Sequence, residues 1–210
     1  MTVIELTTVP PAAPLSPGVV RRHLADLRVP SRTAALLAED GTGSDAEGPA
    51  TSAIRAGLTA IVSALASGTT DALCFQRGVR RLVGVGPGLT PTGDDVLVAL
   101  VATSRRLAAG GLLQEAAADQ FAAAVATRPP GRTTAVADHL LAEAAEGRFP
   151  QPLAVFVAAL GDPGVDRATL AGLTDRLAAT GAHSGADWIA GVIALTRVCL
   201  SQGGDAWLSA

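Results

Sequence analysis

Residues 84–95 read GVGPGLTPTGDD and run directly into the apolar segment VLVALVATSRRL. Two adjacent carboxylates, Asp94 and Asp95, follow two hydroxyls, Thr90 and Thr92, and a set of glycines that includes Gly88 and Gly93. Three chemistries suit that mixture. A glycine-rich turn opening a helix can cradle a phosphate on its backbone N–H groups. Clustered carboxylates can hold a hard cation such as magnesium. Hydroxyls and acids in a first helical turn can also simply cap the helix. The phosphate fingerprints fail in detail. A Walker-type loop needs a lysine after its second glycine, where this chain has Asp94, and the chain contains no lysine at all. A dinucleotide fingerprint needs a strand and then a third glycine, but Leu89 stands at that position and the preceding residues read as a helix. Capping suits the residues locally. Thr90–Pro91 fits an N-cap followed by proline at the first helical position, and Thr92 with Asp95 makes a variant capping box.

The pattern recurs. SGADWIAGVIAL, residues 184–195, aligns with TGDDVLVALVAT, residues 92–103, so that Ser184, Gly185 and Asp187 take the parts of Thr92, Gly93 and Asp95. Two readings stay open. Two apolar helices would each need a good cap. Alternatively, both helix starts open onto one pocket, where N–H groups and hydroxyls bind a small anion or Asp94, Asp95 and Asp187 gather a divalent cation. An anion beside carboxylates calls for a metal or an arginine between them. His183, in the turn before Ser184, is a candidate acid, base or donor. GRTTAVADHLL, residues 131–141, sets Arg132, Thr133 and Thr134 at a further helix start. There Arg132 can pair with a ligand carboxylate or phosphate, or the threonines can serve as another cap. His23 and His139 read as structural or exposed, and the three histidines lack zinc spacing.

Helices must position these residues. Apolar periodicity and Gly/Pro punctuation predict helices over 17–28 and 31–39, broken at Pro30, and then over 51–67 and 70–83, the latter capped by Thr70–Asp71. Further helices follow over 91–109, 112–127, 133–146, 151–160, 166–179 and about 185–201. VIEL near the start suits a short strand, and no alternating run appears after residue 10. The reading is an all-α or mainly α globular domain with two buried central helices starting near 91 and 185. Residues 1–50 form a short arm, irregular or with a small strand, ending in a mobile loop at EDGTGSDAEGPA, and residues 51–210 form the helical core domain.

Composition sets limits on partners. The sixteen basic residues are all arginine, and the net charge is −3, which is not the basic footprint of a nucleic-acid binder. Arg105–Arg106 falls near a predicted helix C-terminus, where cations oppose the dipole charge. Cys74 and Cys199 lie in apolar helical contexts and read as free thiols in a reducing compartment. No secretory signal opens the chain and no apolar stretch reaches the length of a membrane span, so a cytoplasmic protein is expected.

Three segments in this order, GVGPGLTPTGDDVLVAL, GRTTAVADHLLAEAAEGRF and GAHSGADWIAGV, resemble a bacterial family once labelled a domain of unknown function. That family is now named for the AllH-like subunit of oxamate carbamoyltransferase. The resemblance implies a transferase subunit that takes part in carbamoyl transfer between a carbamoyl donor, oxamate and phosphate during purine catabolism, in an assembly with partner subunits. It also implies functional positions at Thr90, Thr92, Gly93, Asp94, Asp95, Thr133, Thr134, Ser184, Gly185 and Asp187. The resulting expectation is a small-anion site at the paired helix starts, with Gly88 and Arg132 added to its binding set. Asp94, Asp95, Asp187 and His183 are its candidates for chemistry or for a magnesium ion. The alternatives are a non-catalytic scaffold or regulatory subunit, or a metal-dependent hydrolase using the three aspartates. Partner subunits or a homo-oligomer are expected, and no nucleic acid or membrane.

Overall fold

Alanine- and leucine-rich segments cut by glycine and proline fold here as a series of helices. The computed structural model describes residues 4–10, 14–38 and 48–202. After strand β1 (Leu6–Thr8) come α1 (Pro17–Asp26), α2 (Ser31–Leu37), α3 (Pro49–Ala66), α4 (Ala72–Leu82), α5 (Thr92–Ala109), α6 (Glu115–Ala126) and α7 (Ala135–Ala145). Strand β2 (Arg148–Pro150), α8 (Gln151–Ala159), α9 (Arg167–Ala178) and α10 (Ser184–Gln202) complete the described chain. The protein is therefore mainly α, as the sequence predicts. Local chemistry sets the boundaries. The Asp71 carboxylate accepts the Leu73 N–H at 2.9 Å to open α4, and Thr134 accepts the Ala137 N–H at 3.1 Å to open α7.

The core is organised around α5 and α10. Every residue of α5 from Thr92 to Ser104 is buried, and α10 lies alongside it. Gly191 makes this closeness possible: a Cβ there would stand 2.9 Å from the Ala99 Cβ and 3.0 Å from the Val96 carbonyl oxygen. The two helices run parallel, because Gly191 meets the first turns of α5 while Ser184 lies beside Thr90. α6, α7 and α8 cover one side of this pair, and α2, α3 and α9 cover the other. Burial of the long aliphatic and aromatic side chains, among them Phe75, Phe121, Leu97 and Leu100, supplies the main stabilisation.

The sequence reading misses β2. It pairs antiparallel with β1, Leu6 opposite Pro150 and Thr8 opposite Arg148, and a strand of three residues is too short to show alternation. β1 also lies later than VIEL. Residues 39–47, most of the segment expected to be a mobile loop, lie outside the described residues. One expectation needs correction: α3 is long and apolar enough, by length and composition alone, to match a membrane span. Its apolar stripe of Ile54, Leu58, Ile61, Val62 and Leu65 is nevertheless buried in the protein core. Cys74 and Cys199 are free thiols, as expected.

Candidate functional site

α5 and α10 begin in the same way. Each follows another helix through a tight corner and packs its second residue onto that helix's last turns. A Cβ on Gly93 would stand 2.0 Å from the Leu82 carbonyl oxygen, and one on Gly185 would stand 1.8 Å from that of Leu177. Only glycine allows these approaches. The same two residues donate their N–H groups within the chain, Gly93 to Val85 at 2.8 Å and Gly185 to Thr180 at 3.1 Å. Both donors are therefore occupied rather than turned toward a ligand. The anion-cradle expectation for Gly93 and Gly185 gives way to a packing role.

The capping expectation also changes. The N-cap position of α5 is Pro91, with no side-chain capping bond, and Thr92 is already helical. The freed hydroxyls face neighbouring elements instead. Thr90 Oγ1 and Ser184 Oγ share a hydrogen bond of 2.9 Å, which joins the two helix starts directly. Thr92 Oγ1 accepts from Arg32 Nη2 at 2.7 Å. Arg32, on α2, also grips both oxygens of Asp187, at 2.7 Å through Nε and 3.2 Å through Nη2. Thr33 beside it donates to the Ala186 carbonyl at 2.7 Å and holds α2 against the start of α10.

Asp94 and Asp95 are adjacent but play different parts. Asp94 braces the turn. It accepts the Gly84 N–H at 3.0 Å on one oxygen and the Thr133 hydroxyl on the other. Gly84 has φ +74°, and a Cβ there would stand 1.9 Å from the Arg132 carbonyl oxygen, so this contact also requires glycine. Thr134 donates to the Leu89 carbonyl. The 131–134 segment is thus a brace that holds the glycine-rich turn against α7. Burial pushes the Asp94 carboxyl up; the bonds from Thr133 and Gly84 and the charge of Arg128 pull it back.

Asp95 points into the junction of the two helix starts. It is 1 % exposed, and its Oδ2 has no hydrogen-bond partner. Burial pushes its carboxyl up to about 7. The neighbouring Ser184 and Thr90 hydroxyls oppose that rise, and the charges of Asp187 and Asp94 add to it. A carboxyl of this kind is poised between its two protonation states at neutral pH.

Two groups of residues emerge. Thr90, Ser184 and Asp95 meet at the junction, flanked by Thr92, Asp187 and Arg32, while Thr133 and Thr134 meet Asp94 and the turn behind it. Gly88, Arg132 and His183 are exposed and lie outside this buried network. Among the described residues no group of three or more His, Cys, Asp or Glu side chains stands ready to hold a metal. The physical reason is that Asp187 is engaged by Arg32 and Asp94 by Gly84 and Thr133. Arg32 is the residue that sequence reasoning missed. It lies 60 residues from Thr92 and 155 from Asp187, so no local motif marks it. The only signal in the sequence is the need of buried carboxylates for a cation.

The class is a mainly helical protein whose two parallel central helices begin at one shared, acidic, hydroxyl-lined junction. The family model described as oxamate carbamoyltransferase subunit AllH matches residues 82–196, more than half of the chain, and the chain belongs to that family. It is thereby one of a family of carbamoyltransferase-associated subunits. The matched span opens at Leu82, beneath Gly93, and closes within α10; every site residue except Arg32 falls inside it. No curated protein and no solved structure matches the chain.

Proposed function

We propose that this chain is the subunit of a carbamoyltransferase assembly that holds a small anionic substrate, an oxamate-like acid or carbamoyl phosphate, where α5 and α10 begin. The observation that supports it most is Asp95, a fully buried carboxyl with one oxygen unpartnered, set at the junction of two helix starts. Burying a polar atom without a partner destabilises a fold, so a ligand's hydrogen-bonding group is the natural complement. With its carboxyl raised to about 7, Asp95 can donate a proton to a substrate group or take one from an attacking nitrogen at neutral pH. Ser184 and Thr90 would orient the bound group. Arg32, 36 % exposed, is the cation of the cluster that reaches solvent, and its planar fork matches a carboxylate. Catalysis in such a site rests on orientation and fixed charge rather than on a covalent step.

A second reading, a non-catalytic scaffold, is favoured by one observation: Asp94 and Asp187 have both carboxylate oxygens bound within the chain. Calorimetric titration separates the two. Oxamate and carbamoyl phosphate, each with and without magnesium, are titrated into wild type and Asp95→Ala. The substrate reading expects binding to wild type that weakens about tenfold or more, at least 1.4 kcal/mol, in a variant whose helical circular dichroism is intact. A wild type that releases no heat, or a folded variant of equal affinity, removes the site and leaves the scaffold.

A further inference from the structure

The far end of α5 holds a different arrangement. At 1.5 Å per residue, Arg106 lies about 20 Å along the helix from Thr92, well away from the aspartates. A cavity of about 320 Å³ opens there, where the last turns of α5 meet β1 and the α7–β2 connection. Thr8, Pro10, Arg105, Arg106, Glu146 and Phe149 contribute to its wall.

Countering the helix dipole explains why cations sit in these turns, but it does not explain how they are held. Arg106 is 5 % exposed, yet its Nε and Nη1 are buried with no hydrogen-bond partner. Arg105 Nε is in the same condition. The Arg105 Nη2 donates to the Ala145 carbonyl at 2.7 Å, which fixes the guanidinium in place. Gly147 passes beside it, and a Cβ there would come within 3.9 Å of the Arg105 Cζ. The acids nearby do not supply the missing acceptors. Glu146 is held by Arg148, and Asp162, which is exposed, acts on Arg106 through charge alone. Burial pulls the Arg106 guanidinium below its ordinary proton affinity, the direction expected of a cation short of a counter-charge.

Buried guanidinium N–H groups need acceptors, and the acceptors that suit guanidinium best are the oxygens of carboxylate and phosphate. We propose that this cavity is a second anion site, taking one small phosphate or carboxylate group on the N–H donors of Arg105 and Arg106. Its volume sits at the lower end for small-ligand pockets, which suits inorganic phosphate or a short carboxylate and leaves no room for a nucleotide. The site is independent of the function proposed for the other end of α5.

Titration of inorganic phosphate and, separately, of malonate into the full chain tests it. The wild type should bind at least one of the two, more weakly as salt rises. Binding only phosphate would assign a tetrahedral ligand, and binding only malonate a carboxylate. Arg105→Gln and Arg106→Gln should each weaken binding about tenfold. Arg105→Lys should do nearly the same, because it keeps the charge but loses the fixed Nε donor. Arg106 is deeply buried and its variant is the one at risk of misfolding; Arg105 is half-buried, and its variants, checked by circular dichroism, decide the matter. No binding of either anion at millimolar concentration overturns the proposal. So does undiminished binding in folded Arg105→Gln. Loss of binding in Asp95→Ala but not in Arg105→Gln would place the anion at the other end of the helix and overturn it equally.

Discussion

The corner before α5 and the corner before α10 share a backbone design and differ in charge. In both, a glycine sits on a carbonyl at the end of the preceding helix and passes its N–H back into the corner. In both, a hydroxyl precedes that glycine and an aspartate follows two residues later. Arg32 then breaks the symmetry. It neutralises Asp187 with two hydrogen bonds, while Asp95, the counterpart, keeps an unpartnered oxygen and a raised proton affinity. One carboxylate is thus held as a structural anion and the other as a titratable group. The shared backbone explains why the motif repeats, and the single cation explains where chemistry can reside.

Substitutions can break either half of this comparison. Gly93→Ala and Gly185→Ala drive a Cβ onto a backbone carbonyl, and each should lose about 2–4 kcal/mol in urea denaturation; a loss at only one of them would mean the corners are not built alike. Arg32→Met leaves Asp187 buried without its cation. Its expected loss is about 1–3 kcal/mol at pH 7, moderated by the solvent that Arg32 already sees. That loss should shrink toward acid pH as Asp187 takes up a proton, which thermal melts across pH would show. Asp95→Asn should move the other way and stabilise the protein by about 1–2 kcal/mol above pH 7. Folded Asp95 keeps its proton to about pH 7, against an ordinary value of 3.8. Between those values the folded state carries the extra proton, so the wild type loses stability as pH rises through this window and the variant does not. Melts at pH 4 and pH 8 should therefore show a small gap and a larger one. Equal gaps would mean that Asp95 is already ionised in the fold.

The helical architecture was legible because glycine and proline mark nearly every junction, and the apolar segment after Asp95 could only be buried. The likeness of residues 92–103 to 184–195 pointed correctly to two helix starts, and the Thr90–Ser184 bond joins them. What the sequence concealed was partnership at long range. Thr90 and Thr92 looked like caps because a hydroxyl ahead of a helix is usually one; Ser184 and Arg32 engage them instead. Gly93 and Gly185 looked like ligand cradles, but their lack of a side chain serves a backbone contact whose other half comes from the helix before. The Arg105–Arg106 pair read as a dipole counter-charge, because cavities form between elements and leave no trace in either element's own sequence.

Gly191 lets α5 and α10 lie side by side pointing the same way, so the fields of their aligned peptide groups add instead of cancelling. The resident aspartates are the built-in answer to that doubled positive end. An anion arriving there competes with charges the protein has already installed, and the local balance holds only if one of them is discharged. Asp95 is the member of the set able to do so at neutral pH, so capture of an anion at this junction would be accompanied by the uptake of a hydrogen ion from water.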